Sequence, residues 1–122
     1  MKAEEALKPG RKLEIERVVD DSLLTRHVGG RGVFATPAMI GLMEMASHRL
    51  VEPHLPEGMT TVGYEVHVRH LASSPPGARL RVTSELKEVV DGRKLTFEVQ
   101  CHEGEKLVGT GTHKRAIVPA SF

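Results

Sequence analysis

Glu44 stands inside the run Ile40-Gly41-Leu42-Met43-Glu44-Met45-Ala46, with apolar neighbours on both sides. A carboxylate in such company faces a cavity, pairs with a cation, or has its pKa raised. It also fits a plainer role, in which a helix face reaches solvent there with His48 and Arg49 as polar company. His70 is in phase with Tyr64, Val66 and Val68 on the apolar face of a strand-like run. It is either a core histidine satisfied by backbone or a base lining a cleft. Thr36-Pro37 reads as a helix start, because threonine caps well and proline is favoured at the first helical position. Capping accounts for Thr36 by itself. The same hydroxyl nevertheless lies beside free N–H groups and the positive end of the helix dipole, where a developing oxyanion is stabilised. Thr36 and Glu44 are eight positions apart, about 12 Å of helical rise and within roughly 80° of one direction. Both can line one groove, and His70 can complete the group from a strand laid across the helix.

Other chemistries lack their residues. No Gly-rich phosphate loop ends in Lys-Ser/Thr, and no Gly-x-Ser-x-Gly elbow is present. His102-Glu103 is not followed by a second zincin histidine. His67 and His70 are three apart, which on a strand puts them on opposite faces, so no metal site is expected.

The elements that must hold these residues are few. The sequence of 122 residues allows one domain with one core. Lys+Arg number 17 and Asp+Glu 16, which lacks the basic excess of a charge-driven nucleic-acid binder. Only Phe34, Phe97, Phe122 and Tyr64 are aromatic, too few for a base-stacking platform. No apolar run approaches a membrane span. The acidic start Met1-Lys2-Ala3-Glu4-Glu5 reads as neither a signal nor a transit peptide, so none is expected, and Cys101 is the sole cysteine. A reduced, cytoplasmic location is the expectation.

Residues 1–10 read as a flexible arm ending in Pro9-Gly10. Leu13, Ile15 and Arg17 alternate with Lys12, Glu14 and Glu16 as a half-wet strand, and 20–32 is a loop rich in glycine. Apolar residues go nearly all round the helix from Ala38 to Val51, so a largely buried helix is expected. Pro53 and Pro56 stop it. Strands follow at 59–72, 78–90, 93–102 and 105–118, with Asp91-Gly92 and Glu103-Gly104 as turns. The predicted class is α+β: an antiparallel sheet wrapped around one long central helix, the element order of the hotdog fold. Such a sheet keeps an open edge, which pairing with a second copy closes.

Four segments carry a resemblance. Val33-Phe34-Ala35-Thr36, Gly41-Leu42-Met43-Glu44, His70 with Pro75-Pro76-Gly77, and Gly109-Thr110-Gly111-Thr112-His113-Lys114-Arg115-Ala116 resemble the fluoroacetyl-CoA thioesterase-like branch of the hotdog superfamily. The resemblance spans roughly residues 10 to 118. It implies a single hotdog domain over 1–122, and a homodimer or higher homo-oligomer with its active sites at the subunit interface. It implies a catalytic group of Thr36, Glu44 and His70, with Gly63, Arg115 and Phe34 as substrate-binding residues. It implies an acyl-CoA substrate, coenzyme A being part of the substrate and no separate cofactor or metal being required. Two positions depart from the pattern. Gly29-Gly30-Arg31-Gly32 stands where the fluoroacetyl-specific enzyme carries lid phenylalanines, and Pro37 follows the threonine where glycine is expected. The resemblance therefore carries fold and reaction class, with hydrolysis of a small or medium acyl thioester as the expectation and no fluoroacetyl specificity. A non-catalytic acyl-binding dimer and an enoyl-thioester hydratase are the alternatives.

Overall fold

Alternating apolar and polar residues build five long strands here, and the one stretch with helical spacing lies across them. The computed structural model describes residues 7–121. In chain order the elements are β1 (Lys12–Val18), β2 (Leu24–Thr25), β3 (Val33–Phe34), α1 (Thr36–Val51), β4 (Met59–His70), β5 (Arg79–Val90), β6 (Lys94–Glu103) and β7 (Lys106–Pro119). Short 3-10 turns sit at Asp21–Leu23 and Glu52–His54. The long strands form one antiparallel sheet in the order β1-β5-β6-β7-β4, and β2 and β3 make a separate small hairpin.

β5, β6 and β7 are consecutive neighbours because tight turns join them. Asp91 and Gly92 both have positive φ, and Arg93 N–H donates to the Val90 carbonyl at 3.0 Å. That backbone twist matches the twist of the flanking strands. Leu80, Val82 and Leu86 of β5 and Leu95, Phe97, Val99 and Cys101 of β6 point to one face and are buried. Met39, Leu42, Met43, Ala46, Leu50 and Val51 of α1 close over them. Ser47, also buried on that face, is satisfied: its hydroxyl reaches the Met43 carbonyl at 2.9 Å and Ser84 Oγ at 2.8 Å.

Two glycines let the helix and the sheet approach. A Cβ on Gly109 of β7 would collide with the Met39 thioether, so glycine there seats the first turn of α1 against the sheet. Gly63 of β4 plays the same part further along. Directly after it β4 bulges: Gly63 pairs with Arg115 and Glu65 with Lys114, which leaves Tyr64 as the extra residue.

Three expectations are corrected. The arm does not cover 1–10. Residues 1–6 lie outside the described residues, but Leu7 is buried and Gly10 N–H donates to the Leu86 carbonyl at 2.8 Å. The helix is not buried all round in the single chain, since Pro37, Gly41, Met45 and Arg49, spaced four apart, form an exposed stripe. The bulge also breaks the phase of β4, so Tyr64 is half exposed instead of joining the buried face.

Candidate active site

The first half of the site is built where α1 begins. Ala35, in extended conformation, is the N-cap and makes no side-chain cap bond, so Thr36 is the first helical residue and not the cap. Its hydroxyl is thereby free, and it lies 2.8 Å from His70 Nδ1 at the end of β4. The amide of Met39 bonds the Ala35 carbonyl. Pro37 has no N–H, which leaves Thr36 and Ala38 as the donors at the helix start. Phe34 packs edge-on against the His70 ring, centroids 5.8 Å apart. Burial pushes the His70 pKa below the usual histidine value, and the Ala72 backbone only partly opposes that. The imidazole is therefore neutral near pH 7 and able to take a proton. Its Nε2 is buried without a hydrogen-bond partner among the described residues. Thr36, His70 and Phe34 line one cavity of about 690 Å³, walled also by Val28, Val33 and Leu71.

The second half lies two helical turns on. Glu44 is half-buried, and a Cβ on Gly63 would fall 3.2 Å from Glu44 Oε2, 3.2 Å from Arg115 Nη1 and 2.9 Å from His113 Cε1. Only glycine leaves that gap open. Arg115 is 8% exposed. Its Nε donates to Thr61 Oγ1 at 2.8 Å and its Nη2 to the Thr61 carbonyl at 2.9 Å. His113 Nδ1 faces the Glu65 carbonyl at 3.0 Å, an acceptor only, so that nitrogen carries the proton. His113 Nε2 then accepts from Arg115 Nη1 at 3.2 Å. Burial holds His113 low, the Glu65 carbonyl opposes, the Arg115 charge lowers it further, and Glu44 opposes. Burial also lowers the Arg115 pKa, with Glu44 and then Glu52 pulling it back up. Arg115 is thus a fixed cation, and Glu44 is the nearby anion that offsets it.

The predicted catalytic residues fall into two groups. Thr36 and His70 meet directly, with Phe34 against them. Glu44 lies by Gly63, where its charge acts on Arg115 and His113, and has no contact with His70. Gly63 pairs with Arg115 and His70 with Gly109, about 20 Å apart at the rise of a strand. Sequence reasoning missed His113 and Thr61. The signal for His113 was available, because Gly109, Gly111, His113 and Arg115 alternate onto one face of β7. Thr61 carried none, since the bulge hides its phase. His48, expected beside Glu44, bonds Thr61 Oγ1 at 3.1 Å and pairs with Glu52 at 3.4 Å. Among the described residues no group of three metal-ligating side chains comes together, and no helix is long and apolar enough to cross a membrane.

Comparisons with known proteins give the family and the fold. The family model described as fluoroacetyl-CoA-specific thioesterase (FlK) matches residues 18–121. The chain belongs to this family. A fluoroacetyl-CoA thioesterase from Streptantibioticus cattleyicolor is 44% identical over 86 residues, 70% of this chain and 61% of that protein. The match thus spans about three-fifths of that relative's length. A solved FlK variant in complex with fluoroacetate and CoA is 36% identical, covering 93% of this chain and 96% of that one, with a TM-score of 0.84. A hot-dog-like protein from Thermanaerovibrio acidaminovorans shares the fold at 21% identity, covering 98% and 90%, with a TM-score of 0.88. The architecture is the α+β hotdog fold, and the FlK family places the chain among thioesterases.

Proposed function

We propose that two copies of this chain form an acyl-CoA thioesterase acting on small or medium acyl groups, without selectivity for fluoroacetyl. The observation that carries the reading is the Thr36–His70 contact of 2.8 Å in a cavity beside the helix start. His70, kept neutral by partial burial, takes a proton from water as the water oxygen bonds the thioester carbon. The Thr36 and Ala38 amides receive the oxyanion. The C–S bond then breaks, the proton on His70 passes to the CoA thiolate, and the acid is released.

The dimer supplies the missing carboxylate. β4 is an edge strand with an exposed Tyr64 and Val66, and Met45 lies exposed on the helix beside it. Antiparallel pairing of β4 with its own copy, about a two-fold axis at His67 and with Tyr64 bulged out of the ladder, sets Gly63 of one chain opposite His70 of the other. Glu44 of the partner subunit then faces the Thr36–His70 pair, where it attacks as nucleophile or orients the water. The reaction belongs in the cytoplasm, where CoA thioesters and an unpaired Cys101 both fit.

Lack of fluoroacetyl selectivity is supported by the loop at 26–32, which carries Gly29, Gly30 and Gly32 and no Phe, Tyr or Trp. A panel of acyl-CoA substrates with CoA thiol release as readout tests the proposal. Turnover is expected for short acyl groups, with fluoroacetyl and acetyl kcat/KM values within about tenfold of each other. Binding of acyl-CoA without thiol release would overturn the catalytic reading, and a large fluoroacetyl preference would overturn the substrate reading.

A further inference from the structure

The cavity that holds Thr36 and His70 contains a second threonine–histidine pair. Thr25 Oγ1 lies 2.6 Å from His27 Nδ1, and both residues line the cavity wall. Thr25 ends β2, and His27 stands on the exposed loop that leads to β3. Around them the wall is apolar, with Val28, Val33, Phe34 and Leu71. Among the described residues, His27 is the one ionisable side chain in this wall besides His70, and no carboxylate lines the space. Arg26, next to it, is turned to Asp21 at 3.3 Å.

Resting on the thioesterase reading, we propose that this site takes a short acyl group whose far end bears a carboxylate, received by His27 with Thr25 behind it. The reacting carbonyl is assigned to the Thr36–His70 pair. A substituent projecting away from it meets apolar side chains and the neutral hydroxyls of Thr25 and Ser73, with His27 as the one ring nitrogen it can reach. The Thr25 hydroxyl suits either charge state of the ring: it donates to Nδ1 of the neutral imidazole and accepts from Nδ1 of the imidazolium. In both states Nε2 carries a proton for the incoming carboxylate. A carboxylate also gains from the positive end of α1 and meets no like charge in the wall. An apolar acyl chain of equal length would leave this donor uncovered.

Binding and turnover test the proposal separately. Calorimetry compares the non-hydrolysable thioethers 3-carboxypropyl-CoA and butyl-CoA on the native chain, His27→Phe and His27→Gln. Succinyl-CoA and butyryl-CoA serve for hydrolysis. The native chain is expected to bind the carboxypropyl analogue at least about tenfold tighter than the butyl one. His27→Phe abolishes that ratio, and His27→Gln, which retains an N–H donor, keeps part of it. Each ratio is taken on one protein sample, so a partly unfolded variant does not distort it. Equal binding by the native chain, an unchanged ratio in His27→Phe, or no binding of either analogue overturns the proposal. Thiol release without a carboxylate preference removes this inference and leaves the thioesterase reading. The binding preference without thiol release from either thioester does the reverse.

Discussion

Thr36 shows how one hydroxyl is released for chemistry. A threonine at an N-cap spends its oxygen on backbone amides, whereas here Ala35 takes the cap position and the hydroxyl turns to His70. The pair therefore separates catalysis from stability in a way that variants can read. His70→Ala is expected to lower kcat by about 10²–10⁴, the usual worth of a positioned base. Thr36→Ala is expected to lower it less. Its unfolding free energy should stay within about 0.5 kcal/mol of the native chain, instead of losing the ~1 kcal/mol of a cap. Thermal midpoints and CoA release on the same preparations check both statements. A Thr36→Ala midpoint lowered by a full cap's worth would return Thr36 to a structural role. Cys101 stands apart from this chemistry, since burial pushes its thiol up to about 11 and leaves little nucleophilic thiolate at neutral pH.

β4 and α1 are the elements that the single chain leaves unfinished. β4 offers an unpaired edge, and α1 shows the exposed stripe Pro37, Gly41, Met45 and Arg49. A lysine at Val66, 37% exposed near the middle of that edge, is expected to block strand pairing while sparing the fold, because charge on an edge strand opposes association. Sedimentation or light scattering should find Val66→Lys monomeric, with a native-like circular dichroism spectrum and little turnover. A monomeric yet fully active variant would remove the shared site. The same two elements mark what the sequence could tell. Asp91-Gly92, the alternation of β5 to β7 and the proline-opened helix were readable because each depends on neighbours in sequence. The pairing of β4 with β7 was not, since the partners lie far apart in sequence, from His70 with Gly109 to Met59 with Pro119, and no local turn joins them. The bulge at Tyr64 was hidden for a related reason: one extra residue reverses the faces beyond it, and nothing in the composition of 59–70 announces it. The groove shared by Thr36 and Glu44 in the sequence likewise holds no information on which His70 it faces, and within one chain Glu44 lies by Gly63, near Arg115 and His113.

Taken together, the two half-sites and their buried histidines tie acid stability to assembly. His70 and His113 both sit below the ordinary histidine value of about 6.5, chiefly through burial. As pH falls below 6.5 the unfolded chain takes up protons that these folded histidines refuse, so stability decreases until the folded groups also titrate. Above 6.5 neither state is protonated and the contribution is flat. Asp20 is held low by the Ser22 hydroxyl and Glu103 by Lys106, and these act only below the carboxylate range near 4. A thermal midpoint that drops between about pH 6.5 and 5 is therefore the expected signature of the histidines. The decisive experiment mixes subunits. Glu44→Gln and His70→Ala homodimers are each expected to be nearly inactive. In a heterodimer of the two, His70 of the first chain meets Glu44 of the second, giving one intact site and one doubly impaired site. Random exchange makes half of the dimers mixed, each with one working site of two, so about a quarter of native activity should return. If Glu44 served His70 of its own chain, every site in the mixture would lack one of them and activity would stay at the level of the single variants. The about 20 Å along β4 between His70 and Gly63, the residue beside Glu44, predicts recovery.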